Sequence, residues 1–198
     1  MSEAIIYIHG KGGNADEAEH YKELFSDHDV IGLNYVSETP WEAKKEFSTL
    51  FDSIATQYDS ITVIANSIGA FFTMHALADK EIAKAYFISP VVDMHKLIAD
   101  MMMCTGVSEK ELSEKKEIKT QFGETLSWDY LQYVRNNPVE WDVPTHILYG
   151  GNDNLTSYET VSAFANKINA ALTVMHFGEH WFHTEEQMKF LDEWITQN

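Results

Sequence analysis

Ser67 lies in the stretch ITVIANSIGAFFTMHAL, between an apolar run and a helix pattern, with Ala65 two residues before it and Gly69 two residues after. A serine hydroxyl is a poor nucleophile until a neutral imidazole takes its proton, and that imidazole needs an acceptor to orient it. Downstream, THILYGGNDNLTS offers Asp153 and LTVMHFGEHWFHTEEQ offers His180. Each has a plainer reading. Serine commonly caps helices, Asp commonly follows glycines in turns, and His176 and His183 compete with His180. A second stretch, IIYIHGKGGNADEAEHY, runs from apolar residues through glycines into a helix pattern. Its Gly10, Gly12 and Ala15 fit the G-x-G-x-x-G/A spacing of a dinucleotide-binding turn.

These residues need elements to hold them. AIIYIHG, DVIGLNY, ITVIANS, AKAYFIS, THILYGG and LTVMHFG read as short buried strands rich in β-branched and aromatic residues. Helix patterns with visible starts lie between them. Thr39, Pro40 and Glu42 form a capping box with proline at the first helical position, before Phe47, Leu50, Phe51 and Ile54 at helical spacing. Thr184 and Gln187 form another, before Met188, Leu191, Trp194 and Ile195. Such alternation predicts an α/β fold: a doubly wound, mainly parallel sheet of about six strands with helices on both faces. Residues 91 to 140 carry no clear strand of that sheet. With KLIADMMMC, a Ser108–Glu111 helix start and SWDYLQYVRNN, they read as a mostly helical cap inserted into one domain spanning 1–198.

On Ala65-Asn66-Ser67-Ile68-Gly69 the chain resembles the α/β-hydrolase family, whose nucleophile elbow is G-x-S-x-G. Gly69 matches, and Ala65 departs by the smallest step available. The family's chain order of serine, acid, then histidine is met by Ser67, Asp153 and His180, all at expected strand C-terminal ends. His180 also stands at the Gly-x-His position of the family's histidine loop. His9-Gly10-Lys11-Gly12-Gly13 resembles the family's oxyanion loop, which implies that the backbone amides of Lys11 and Ile68 hold the oxyanion. The dinucleotide reading requires an acid closing the second strand, where this chain has Asn34 and Tyr35. The oxyanion reading prevails. The resemblance then implies a serine hydrolase cleaving an ester-like bond through an acyl-enzyme on Ser67, without a cofactor. A peptidase or thioesterase on the same triad, or a ligand-binding protein with a vestigial site, are the alternatives. Activity is expected to rise with pH as the histidine loses its proton.

Composition narrows the partners. The 198 residues carry a formal charge of -17, which argues against nucleic acid and against an anionic membrane surface. A small-molecule substrate is expected, with oligomeric state left open. Cys104 is the one cysteine, so no intramolecular disulfide forms, and it is expected as a packed thiol. The N-terminal residues lack a signal-peptide pattern, so the expected location is cytoplasmic. The histidines near residue 180 lack H-E-x-x-H or cysteine-rich spacing, so no metal is expected. His75 is expected to pack within its helix, His176 to lie within the last strand, and Trp128, Tyr130 and Tyr133 to anchor a helix of the cap.

Overall fold

The computed structural model describes residues 2–121 and 123–198. Strand β1 (Glu3–Ile8) opens the chain and leads through the glycine-rich loop and a 3-10 turn (Ala15–Glu17) into α1 (Ala18–Leu24). Then follow β2 (Asp29–Gly32), α2 (Pro40–Ala55), β3 (Ser60–Asn66), α3 (Ile68–Ala76) and β4 (Lys84–Ile88). The inserted segment holds α4 (Met94–Thr105), α5 (Glu109–Lys115), β5 (Glu117–Lys119), β6 (Thr125–Ser127) and α6 (Trp128–Asn136). The chain closes with β7 (Thr145–Gly150), α7 (Tyr158–Ile168), β8 (Ala171–Met175) and α8 (Glu185–Gln197).

Six strands form one sheet in the order β2-β1-β3-β4-β7-β8, every neighbouring pair parallel. Both faces are covered, which is why the central strands are apolar almost without interruption. On one face Ile5, Tyr7, Ile64, Tyr86 and Leu148 pack with Tyr21 of α1 and with Leu191, Trp194 and Ile195 of α8. On the other, Ile6, Ile8, Val63, Ala65 and Phe87 are equally buried, and α3 closes against Ile8. The sheet-covering segments begin where their caps dictate. Thr39 accepts the Glu42 N–H while Glu42 accepts the Thr39 N–H, and Pro40 occupies the first helical position of α2. The Thr184 box is only half formed: Thr184 accepts the Gln187 N–H, but Gln187 Oε1 takes the N–H of His183 instead, at 3.1 Å.

The chain leaves β1 toward β2 on one side and returns to β3 on the other, so the switch point of the winding falls between β1 and β3. Open α/β sheets place their sites outside the carboxyl ends of strands at such a point. Here those ends carry Gly10 and Ser67.

The chain divides into two compact units, residues 1–92 with 140–198, and residues 93–139. In the inserted unit, α4 packs on α6 and β6, and Arg135 grips Glu109 with two hydrogen bonds of 2.6 and 2.8 Å. Leu131 and Val134 are the residues that α6 buries. The segment is not purely helical, because β5 and β6 pair antiparallel as a hairpin. Strands of three residues are too short to show an alternating pattern. Cys104 corrects the expectation of a packed thiol: it is exposed, on the outer face of α4 next to Met103. His176 stands one residue beyond the end of β8 and is exposed. His75 is half-buried in α3, its ring against Phe71. Among the described residues no helix is long and apolar enough to cross a membrane.

Candidate active site

Ser67 joins β3 to α3 with φ 50° and ψ -120°, and its side chain makes no capping hydrogen bond. The helix-cap reading therefore fails on geometry. A positive φ is costly for a residue with a Cβ, on the order of 1–3 kcal/mol, and persists only where the surroundings enforce it. Here they do. The Ser67 N–H donates to Ile88 O at 3.0 Å, while its carbonyl accepts from Ala70 N at 3.2 Å and Val91 N at 3.0 Å. The small flanking residues are required by the neighbours. A Cβ on Gly69 would lie 2.3 Å from His9 O, and one on Gly10 would lie 3.2 Å from the Ser67 Cβ. Ala65 is fully buried between Ile8 and Phe87 in the sheet register.

The turn aims Ser67 Oγ at His180 Nε2, 2.8 Å away, and His180 Nδ1 lies 2.7 Å from Asp153 Oδ2. An ionised carboxylate only accepts, so Nδ1 carries the ring proton and Nε2 is left to accept from the serine hydroxyl. The Asp153 side chain is fully buried. Burial alone would raise its pKa, but the hydrogen bond and charge of His180, with the N–H groups of Thr156 and Leu155, hold it below the usual carboxylate range. Its Oδ1 accepts from Leu155 N at 2.7 Å and Thr156 N at 3.0 Å, and its Oδ2 from Thr156 Oγ1 at 3.1 Å. Asp153 is thus a turn residue and the partner of His180 at once; the two readings do not exclude each other.

The loops carrying the acid and the histidine meet through glycine. A Cβ on Gly150 would fall 2.5 Å from Glu179 O, and one on Gly151 would fall 2.3 Å from His176 O. Asn152 N–H donates to Gly178 O at 2.8 Å, zipping the loops together. In the sequence Gly150 and Gly151 are only a glycine pair ahead of Asp153; their close approach to another backbone is a long-range fact that no local pattern carries. The competing histidines are engaged elsewhere. His183 stacks on Trp181 with its Nδ1 on the Trp181 carbonyl, and His176 packs against Phe177.

Lys11 lies in the turn Gly10–Gly13, closed by Gly13 N–H to Gly10 O at 3.2 Å, with Gly12 at φ 79°. Ile68 is the first residue of α3, so its N–H is one of those with no carbonyl a turn earlier to bond. For a pyrophosphate this loop is poorly made. Asn14 and Glu17 form their own capping box at the start of the 3-10 turn, and Asp16 and Glu17 put two acids there. Tyr35, where a ribose-binding acid would stand, stacks on His9 and donates to its carbonyl at 2.7 Å. Among the described residues no group of three His, Cys, Asp or Glu side chains is gathered as a metal site.

No family model matches the chain, and no curated protein sequence does. Solved structures do match. Alpha/beta hydrolase domain-containing protein 10 from mouse superposes with a TM-score of 0.81 over 98% of this chain and 88% of its own, at 16% identity. Est1E from Butyrivibrio proteoclasticus gives 0.74 over 99% and 86%, at 19% identity. The chain has the α/β-hydrolase fold. A lipase-esterase related protein from Clostridium acetobutylicum agrees, with 0.64 over 98% and 93% at 17% identity. In this α/β-hydrolase fold the likeness fixes the course of the chain, and the chemistry rests on the site's own residues.

Proposed function

We propose that the chain is a serine hydrolase that cleaves an ester-like bond of a small acyl substrate. The observation that carries this reading is the relay from Ser67 Oγ to His180 to Asp153, at 2.8 and 2.7 Å, starting from a serine held at positive φ. A residue that only capped a helix would have no need of that backbone. Ser67 Oγ attacks the acyl carbon as His180 Nε2 takes its proton, and the negative charge of the tetrahedral intermediate falls to the amides of Lys11 and Ile68. Collapse expels the alcohol, protonated by His180, and leaves an acyl-Ser67 ester. Water then attacks that ester, giving its proton to His180, and the acid departs as the proton returns to Ser67. Asp153 keeps the imidazole in the tautomer that can accept and stabilises the imidazolium in between.

Neighbours named as esterases support the ester as leaving bond, among them the marine microorganism esterase. The thioesterase domain from the curacin biosynthetic pathway shares the fold as well, and a thioester would use the same steps with a thiol, protonated by His180, as the leaving group. Turnover of p-nitrophenyl butyrate tests the reading. Ser67→Ala is expected to lower kcat by on the order of 10⁴-fold or more, and equal turnover in that variant would overturn it.

A further inference from the structure

Behind the glycine-rich loop runs a second relay, which the steps above do not use. Glu17 turns its carboxylate back toward β1, where the Tyr7 hydroxyl donates to Oε2 at 2.5 Å. The other oxygen, Oε1, accepts the Asn14 N–H at 3.2 Å. Tyr7 is buried, and its hydroxyl accepts in turn from Asn66 Nδ2 at 2.8 Å. Asn66 is the residue immediately before Ser67. The direction of this relay is fixed. A carboxylate has no proton to give, so the phenolic proton points to Glu17 and the phenolic lone pair takes the amide of Asn66. Burial first, and then the neighbouring Tyr21 and Glu17, hold the Tyr7 hydroxyl firmly protonated. Gly13 is registered against the same carboxylate, since a Cβ there would lie 2.6 Å from Glu17 Oε1.

One carboxylate thus touches the end of the loop Gly10–Gly13 on one side and, through Tyr7, the residue that enters the elbow on the other. We infer that Glu17 and Tyr7 are positioning residues that set the loop, and with it the Lys11 amide, at its working distance from Ser67. The inference rests on the serine hydrolase reading above. An oxyanion donor acts only in the transition state, so its displacement lowers kcat and leaves KM alone. Displacements near 1 Å caused by residues away from the chemistry can cost up to about 100-fold. Tyr7→Phe keeps the packed ring and removes only the hydroxyl. Glu17→Ala removes the carboxylate, while Glu17→Gln restores one oxygen that can accept the phenolic proton.

Steady-state kinetics on p-nitrophenyl butyrate, at a temperature where circular dichroism shows every variant folded, tests this. Tyr7→Phe and Glu17→Ala are each expected to lower kcat by roughly 10- to 100-fold with KM within about twofold. The double variant should be no worse than the weaker single, because both act through one path, and Glu17→Gln should recover most of the loss. A purely structural role would lower the melting temperature and leave kcat per folded molecule unchanged. Wild-type kcat in both single variants, or losses that multiply in the double variant, would overturn the inference while Ser67-dependent turnover leaves the hydrolase reading intact. Wild-type protein without Ser67-dependent turnover contradicts the hydrolase reading itself and takes this inference with it.

Discussion

Asp153 shows how a single side chain sets the state of the site. Its burial penalises the charge, yet His180 and two backbone N–H groups outweigh the penalty and keep it ionised. The held carboxylate dictates which ring nitrogen of His180 is protonated. Asp153→Asn keeps the size but presents an amide, whose NH₂ would donate to Nδ1 and move the ring proton to Nε2, where it blocks acceptance from Ser67. The expected result is a fall in kcat on the order of 10³- to 10⁴-fold with little change in KM, read by steady-state ester hydrolysis. Unchanged kcat would mean that Asp153 is only a turn residue. The same shift has a stability consequence. A depressed folded-state pKa contributes stability in full above the unfolded-chain value, about 3.9 for Asp, and that contribution is lost as pH falls through the lower folded value. At this scale Ser67, Asp153 and His180 were legible from residue type, order and position after strands. The positive φ of Ser67 was not, because it is enforced by Ile88 and Val91, which reach it only in the fold. Nor was the reach of Glu17 to Tyr7, because nothing in the local pattern says that this side chain turns back across ten residues to β1.

Among the elements, α3 holds the elbow close, since its first turn is pressed against the end of β1 at Gly69. The same helix carries His75 against Phe71. Burial, and secondarily the charge of Lys44, lowers the His75 pKa to about 4. In the unfolded chain a histidine titrates near 6.5, so the unfolded state binds the extra proton first as pH falls. Stability is therefore full above pH ~6.5 and declines as pH falls toward about 4. The loss is on the order of 2 kcal/mol after allowance for part exposure. In His75→Leu the melting temperature should lose this part of its acid slope between those values, and an identical slope in the variant would refute the assignment. The elements themselves were legible where signals were local and long. The Thr39–Glu42 cap and the apolar strand runs fall where the patterns put them. The β5–β6 hairpin was not legible, because three-residue strands carry no period, and the apolar run of β8 does not mark its own end at Met175, one residue before His176. The exposure of Cys104 was not legible, because α4 buries Met102 while turning Met103 and Cys104 outward, and a run of apolar residues does not say which of them faces in.

For the whole molecule, topology explains how the candidate site is assembled. Winding outward from both sides of the β1–β3 switch leaves the glycine loop and the elbow side by side without either strand departing from the parallel sheet. Histidine and acid then arrive from the two strands that finish the sheet, β7 and β8, on loops zipped by glycine contacts. Strand-helix alternation foretold the parallel sheet, while the glycine contacts between those loops and the hairpin within residues 93–139 came only with the structure. The charge of -17 repels anionic reagents over distances set by the ionic strength, so a neutral probe is the proper test of the site. The most direct measurement is intact mass after treatment with an uncharged fluorophosphonate, on wild type, Ser67→Ala and His180→Ala. The account predicts one adduct on wild type and none on either variant. A well-folded wild type that stays unmodified, or an adduct that persists in Ser67→Ala, would contradict it.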